Sequence, residues 1–288
     1  MTPTPPAATG RTMPEGDTIF RTAHTLERAL SGQTITRFDT QLAGLAVVDR
    51  REPIAGRVVQ HVSAQGKHLL IALSGGLVLR SHMRMHGSWH IYKPGEKWRA
   101  PARDARIAIA TLPWVAIAFG VTDAELLSTE EAAHHPRLIA LGPDILSAEP
   151  DLNEARERLR GSGLRHAAEA ILAQRAVAGL GNVYKSELLF ICRVYPFAPV
   201  SELSDETLDR LLRRGRKLMQ LNVAETTIAG GSGFGRFTTG RLNPRERLWV
   251  YGRGGLPCLK CGTPIQSASK TEGRRTYWCP SCQPMVTS

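Results

Sequence analysis

The chain has 288 residues, 42% of them hydrophobic, with a formal net charge of +11 and a pI near 9.9. That length accommodates two domains with cores of their own, and the charge favours a polyanionic partner. No apolar run nears the ~20 residues needed to cross a bilayer and no signal peptide is visible, so a cytosolic protein is expected. The charge is uneven. From Leu211 to Ser288 there are 13 Lys/Arg against 3 Asp/Glu, so this stretch supplies +10 of the total.

Residues 1–12 are rich in Pro, Thr and Ala, cannot build a core, and are expected to be disordered. Met13-Pro14-Glu15-Gly16-Asp17 then looks like a protein start. If the chain begins at Pro14, its nitrogen is a free secondary amine with an ordinary pKa of ~7.7–8.0, nucleophilic enough to condense with an aldehyde carbon. A plainer account is a helix start, with Pro14 in the first turn ahead of Ile19, Ala23, Leu26 and Leu30 at helical spacing.

From Thr34 to Phe119 the pattern becomes β. Thr34–Asp39, Arg57–Val62, His68–Leu73, Leu77–Ser81, Trp89–Tyr92, Ala105–Leu112 and Val115–Phe119 read as short strands punctuated by turns such as Ser74-Gly75-Gly76. This spacing predicts a β-sandwich or barrel. Gly66-Lys67-His68 sets a cation at the head of an apolar strand, a position that a surface lysine also fills. Ser81 to Gly87 follows another strand with polar and flexible groups, and Met85 within it would ordinarily be core.

The β pattern stops near Leu141-Gly142-Pro143-Asp144, where a domain boundary is expected. Helices are predicted over Asp151–Leu159, Leu164–Ala176, Asn182–Cys192 and Asp205–Leu221. The tight turn Ala178-Gly179-Leu180-Gly181 delivers Asn182 to a helix N-terminus, whose unpaired N–H groups are expected to receive a phosphate. Asn182 also suits an N-cap there.

Cys258-x2-Cys261 and Cys279-x2-Cys282, 17 residues apart, have the spacing of a four-cysteine zinc site, although two reducible disulfides would use the same residues. Between the pairs, Arg274-Arg275-Thr276-Tyr277-Trp278 reads as a hairpin with basic residues near its tip. Cys192 reads as a buried thiol, and His134-His135 as a linker feature.

Taken together, Met-Pro-Glu-Gly at a start, Gly-Lys-His entering a strand, Gly-Leu-Gly-Asn-Val-Tyr-Lys-Ser-Glu between helices and the terminal cysteines resemble the formamidopyrimidine-DNA glycosylase/endonuclease VIII family, from Met13 to about Gln283. The resemblance implies an α+β fold. It comprises an N-terminal catalytic β-sandwich with a leading helix (13–142), a helical domain with a helix-two-turn-helix (143–245), and a zinc finger (246–288) holding one structural Zn²⁺. It implies a bifunctional DNA glycosylase and abasic-site lyase of base excision repair. Pro14 would form an imine, Glu15 would move protons, and Lys67 would assist base loss. Asn182 and Arg274 would hold the phosphates flanking the lesion, and Arg84, Met85 and His86 would fill the gap left by the flipped base.

Pro-Glu-Gly, and the lack of an Arg-x-Phe between Trp114 and Leu127, resemble the endonuclease VIII branch and imply oxidised pyrimidines; the oxidised-purine branch is the alternative. The partner implied is damaged double-stranded DNA, with single-stranded or bubble DNA as a further substrate. A monomer in the bacterial cytoplasm, at the nucleoid, is expected. Thr18 departs from the pattern, standing where better-known members carry a second glutamate. Residues 1–13, if retained, would place the Pro14 nitrogen in a peptide bond and leave a catalytically silent DNA-binding protein. A zinc-ribbon module that binds RNA or the ribosome would explain the charge and the cysteines, but not Pro14-Glu15 or Lys67.

Overall fold

The computed structural model describes residues 14–228, 236–241, 243–271 and 273–285, so the expected disordered extension lies outside it. Helix α1 (Gly16–Leu30) forms where the helical spacing predicts. Its apolar stripe, Ile19, Ala23, Leu26 and Leu30, is buried in the first core, while Arg21, Thr22, His24 and Thr25 stay at the surface. The helix begins only after Glu15, its N-cap. Pro14 therefore stands outside the first turn, and the helix-start account of that residue is set aside.

Two antiparallel four-stranded sheets follow. One has the order β1 (Arg37–Thr40), β6 (Ala105–Ala110), β7 (Val115–Phe119), β5 (Ser88–Tyr92). The other has the order β2 (Val59–Gln65), β3 (His68–Leu73), β4 (Leu77–His82), β8 (Asp123–Ser128). Leu69, Ile71 and Leu73 of β3 and Ile107 and Ile109 of β6 alternate into a shared core, which makes this a β-sandwich. The first strand starts three residues later than the predicted Thr34.

Several short elements escaped the sequence reading. Helix α2 (Ala43–Arg51) buries only Leu45, too little for a visible stripe. Strand β8 alternates Asp123 and Glu125 with Ala124 and Leu126, which face the core. The two carboxylates are taken up by Arg80 on the neighbouring β4, a fully buried cation, at 2.6 and 3.0 Å.

Short helices α3 (Thr129–Ala133) and α4 (Pro136–Ile139) lead to a second core. It is built by α5 (Leu152–Arg160), α6 (Ala167–Leu172), α7 (Asn182–Ile191) and α8 (Asp205–Ile228). Helix α6 is shorter than the predicted Leu164–Ala176. The amides of Ala167 and Ala168 bond outward to the carbonyls of Ala198 and Pro196, tying its first turn to a neighbouring loop. Helix α8 runs seven residues past the predicted Leu221.

The last unit is the hairpin β9 (Gln266–Thr271) and β10 (Arg274–Trp278), with a small core of Val250, Cys258, Ile265 and Cys279 that reaches Phe190 of α7. Among the described residues no helix is long and apolar enough to cross a membrane.

Candidate active site and metal centre

The units converge on residues 14–18. Half-buried Pro14 leads into Glu15, which is 1% exposed and leaves its own helix uncapped. Its carboxylate turns instead to the start of α7, accepting from the Val183 amide at 2.8 Å and the Tyr184 amide at 3.4 Å. An internal carboxylate thus satisfies free N–H groups and the partial positive charge at this helix end.

The glycine-rich turn exists for this approach. A Cβ on Gly181 would collide with the Glu15 side chain, and one on Gly16 would lie 2.8 Å from the Gly179 Cα. The Gly16 amide donates to the Gly179 carbonyl at 2.9 Å. Sequence reading assigned these glycines to turn formation; their closer task is to let two backbones touch.

Lys67 enters the same space. The turn before it is held from the helical half, because the Gly66 amide (φ 59°) donates to Asp144 Oδ2 at 2.6 Å. Burial pushes the Lys67 ammonium down to about 8; the Glu15 carboxylate opposes this, and the Arg274 and Arg236 cations add to it. An amine poised there carries a useful neutral fraction at cellular pH.

Asp17 and Arg236 are the residues that sequence reading missed. Asp17 is fully buried and binds Arg236 through both oxygens, at 2.7 and 2.9 Å. Tyr184 donates its hydroxyl to Asp17 at 3.2 Å, and its ring lies 5.1 Å from the Arg236 guanidinium. Arg236 also donates to Thr18 Oγ1 at 3.2 Å and stands 3.9 Å from Glu15 Oε1. Where the expected second glutamate is absent, Thr18 thus faces a cation. Asp17 was visible as an acid in a first helical turn, but nothing local marks Arg236, 219 residues away.

Burial alone would raise the Asp17 carboxyl, but Arg236 overrides it and holds the group below the usual aspartate range. A lowered folded-state pKa contributes stability above the unfolded value that is lost as pH falls through the folded one. Asp17→Ala should therefore lower stability at neutral pH by about 3–5 kcal/mol, because it removes the carboxylate that binds a buried cation through both oxygens. It should also flatten the acid limb of the stability profile. Denaturant titrations from neutral pH into the acid range read both effects, and an unchanged midpoint would remove the claim.

Asn182 is buried and engaged by the protein itself. Its Oδ1 accepts from Lys185 Nζ at 2.6 Å and its Nδ2 donates to the Arg275 carbonyl at 3.2 Å. Arg274 is exposed on the finger hairpin, yet its charge reaches both Lys67 and Lys185. The hairpin predicted from Arg274 to Trp278 is present, and Arg274 opens its second strand.

Arg84, Met85 and His86 project from the turn after β4, all exposed. Met85 is 55% exposed, so the core account of this residue does not hold. Arg84 sits at φ 52° and pairs with Asp123, which also binds Arg80, so the turn is braced from beneath. His134 and His135 lie between α3 and α4, with His135 Nε2 2.9 Å from Glu125.

Cys258, Cys261, Cys279 and Cys282 gather with all sulfurs within 4.8 Å of one another, and Cys261 lies 3.5 Å from both Cys279 and Cys282. Zn–S bonds of about 2.3 Å in a tetrahedron set sulfurs about 3.8 Å apart, so the cluster fits one structural zinc. The fifth cysteine, Cys192, is buried and apart from the cluster.

Three family models match in chain order: the formamidopyrimidine-DNA glycosylase N-terminal domain over 13–120, its H2TH domain over 141–231, and a zinc finger found in FPG and IleRS over 255–284. The chain belongs to the formamidopyrimidine-DNA glycosylase/endonuclease VIII family. It is 40% identical to a probable endonuclease 8 2 of Streptomyces coelicolor, over 94% of both chains. It is also 40% identical to a protein of Mycolicibacterium smegmatis named DNA-(apurinic or apyrimidinic site) lyase Nei2, over 94% of this chain and 99% of the relative. Among solved structures, a formamidopyrimidine-DNA glycosylase of Lactococcus lactis bound non-covalently to DNA with an abasic site superposes with a TM-score of 0.77. It is 25% identical, over 94% of this chain and all of that one.

Proposed function

We propose that the protein is a DNA glycosylase and abasic-site lyase of base excision repair in the endonuclease VIII branch, acting on oxidised pyrimidines in duplex DNA. The observation that carries this reading is the convergence of Pro14, Glu15 and Lys67, drawn from two distant parts of the chain, beside a basic hairpin. The names of the relatives and the DNA complex of the structural neighbour support it.

In this reading the Pro14 nitrogen, as a free amine, attacks C1′ of the damaged nucleotide and the base departs with a proton. Glu15 takes the proton released by the Pro14 nitrogen and passes it to O4′, so the sugar ring opens and leaves an iminium. Loss of a proton from C2′ sends electrons into that iminium and expels the 3′ phosphate, and a second elimination expels the 5′ phosphate. Water then releases the amine. Lys67, its ammonium lowered to about 8 by burial, assists base loss and grips a phosphate. Asn182 and Arg274 are assigned to the flanking phosphates, and Met85, with Arg84 and His86, to the gap left by the flipped base.

The three buried cores support dividing the chain after residues 142 and 245. We place the protein in the bacterial cytoplasm at the nucleoid, acting as a monomer; single-stranded or bubble DNA is a further substrate in this reading.

Glu15→Gln tests the assignment. Gln keeps an acceptor for the Val183 amide and removes the proton carrier, so excision from a thymine-glycol duplex should fall about 10²–10⁴-fold while binding persists. Excision at the wild-type rate would show that the proton comes from elsewhere.

A further inference from the structure

Lys185 is 0% exposed. It donates to Asn182 Oδ1 at 2.6 Å, to Thr276 Oγ1 at 2.8 Å and to the Arg275 carbonyl at 3.5 Å, all neutral acceptors. Among the described residues no carboxylate forms an ion pair with it, and Glu15 acts on it only at longer range. A buried cation without a paired anion is unfavourable, and neutral hydrogen bonds offset only part of its lost hydration. Burial pushes the ammonium down to about 8, with Arg274 adding to the effect, so at neutral pH the charge is still carried.

Arg274 adds positive charge to the surroundings of both Lys185 and Lys67, and Glu15 is the carboxylate that acts on both lysines. Such a surplus is matched by an anion supplied from outside.

We propose that Lys185 is a buried electrostatic anchor for DNA, whose charge completes with Arg274 the seat of the phosphate beside the lesion. This rests on the DNA-repair reading above. Lys185 acts as a positioning residue as well as a charge. By holding Asn182 Oδ1 it fixes the plane of that amide and directs the NH₂ group toward the finger. By holding Arg275 and Thr276, the two residues after Arg274, it sets where the hairpin presents its arginine. In a low-dielectric interior, a charge one layer beneath the surface still acts strongly on a phosphate above it.

Two substitutions separate the charge from the scaffold. Lys185→Gln keeps a donor for Asn182 without the charge; Lys185→Met removes both. Affinity of the zinc-loaded protein for a duplex with a tetrahydrofuran abasic analogue is measured across a salt series. Both variants should bind about tenfold more weakly at moderate salt, with a log–log salt slope shallower by up to ~0.9. The Gln variant should keep one zinc per chain and the wild-type melting temperature. If Gln restores wild-type affinity and slope, Lys185 is only a strut and the proposal is overturned. Wild-type slopes in both variants overturn it too. If wild-type protein itself shows no salt-dependent affinity for the duplex, the DNA reading fails, a result distinct from a binding wild type with indifferent variants.

Discussion

Protein whose first residue is Pro14 should be trapped on abasic-site DNA by borohydride, whereas protein retaining Met1–Met13 should not. The difference is electronic. A free prolyl amine has a lone pair to give to C1′, while the same nitrogen inside a peptide bond has delocalised it into the carbonyl. Removing a nucleophile in this way should lower strand cleavage by roughly 10⁴-fold or more. Binding should survive in the longer chain, since Arg274 and the finger lie elsewhere in the sequence.

Gel separation of the reduced adduct, beside a binding titration of the same preparations, reads both quantities. Equal cross-linking by both forms would overturn the Pro14 assignment and move suspicion to Lys67. At a pKa of about 8 its amine is about one-tenth neutral at pH 7, enough to make it a credible substitute. Lys67→Met in the longer chain would then settle which nitrogen reacts.

Loss of the metal should have the next largest effect. Cys261→Ser is expected to strip zinc from the finger and with it the local fold, because binding worth ~10–16 kcal/mol in small zinc modules is largely their folding energy. The structure shows why the consequence spreads. Cys279 and Gln283 bond one another, and Gln283 Nε2 donates to the Val194 carbonyl just past α7 at 2.7 Å. Phe190 of α7 stacks on Trp249 with centroids 5.5 Å apart. Without the metal the hairpin loses its base, Arg274 loses its aim, and cleavage should fall to background. Metal analysis gives the zinc content and near-ultraviolet circular dichroism the order around Trp278. A variant that keeps activity without zinc would contradict this account.

The sequence by itself determined whatever depends on local pattern. The apolar run Leu69 to Leu73, bounded by turn signals, specifies a strand, and Ile19 to Leu30 at helical spacing specify a helix that buries one face. Two pairs of cysteines with short internal spacing specify a zinc knuckle for the same reason: the ligands are neighbours in the chain. The order of Pro14-Glu15, Gly66-Lys67, Gly181-Asn182 and the finger was enough to resemble a family, and through it to place the reacting groups.

Only the tertiary structure decided what those groups touch. Glu15 meets the amides of Val183 and Tyr184 across 168 and 169 positions, and Asp17 meets Arg236 across 219. No period or spacing encodes such a pairing. The helix end at Asn182 read as a phosphate site because isolated N–H groups attract any anion, and only packing shows that Glu15 occupies it. Strand β8 lies outside the predicted strands, and only its pairing with β4 and the ion pairs of Asp123 and Glu125 with Arg80 place it in the sheet. Local periodicity chooses the elements; long-range charge pairing in a buried, poorly screened interior chooses the site.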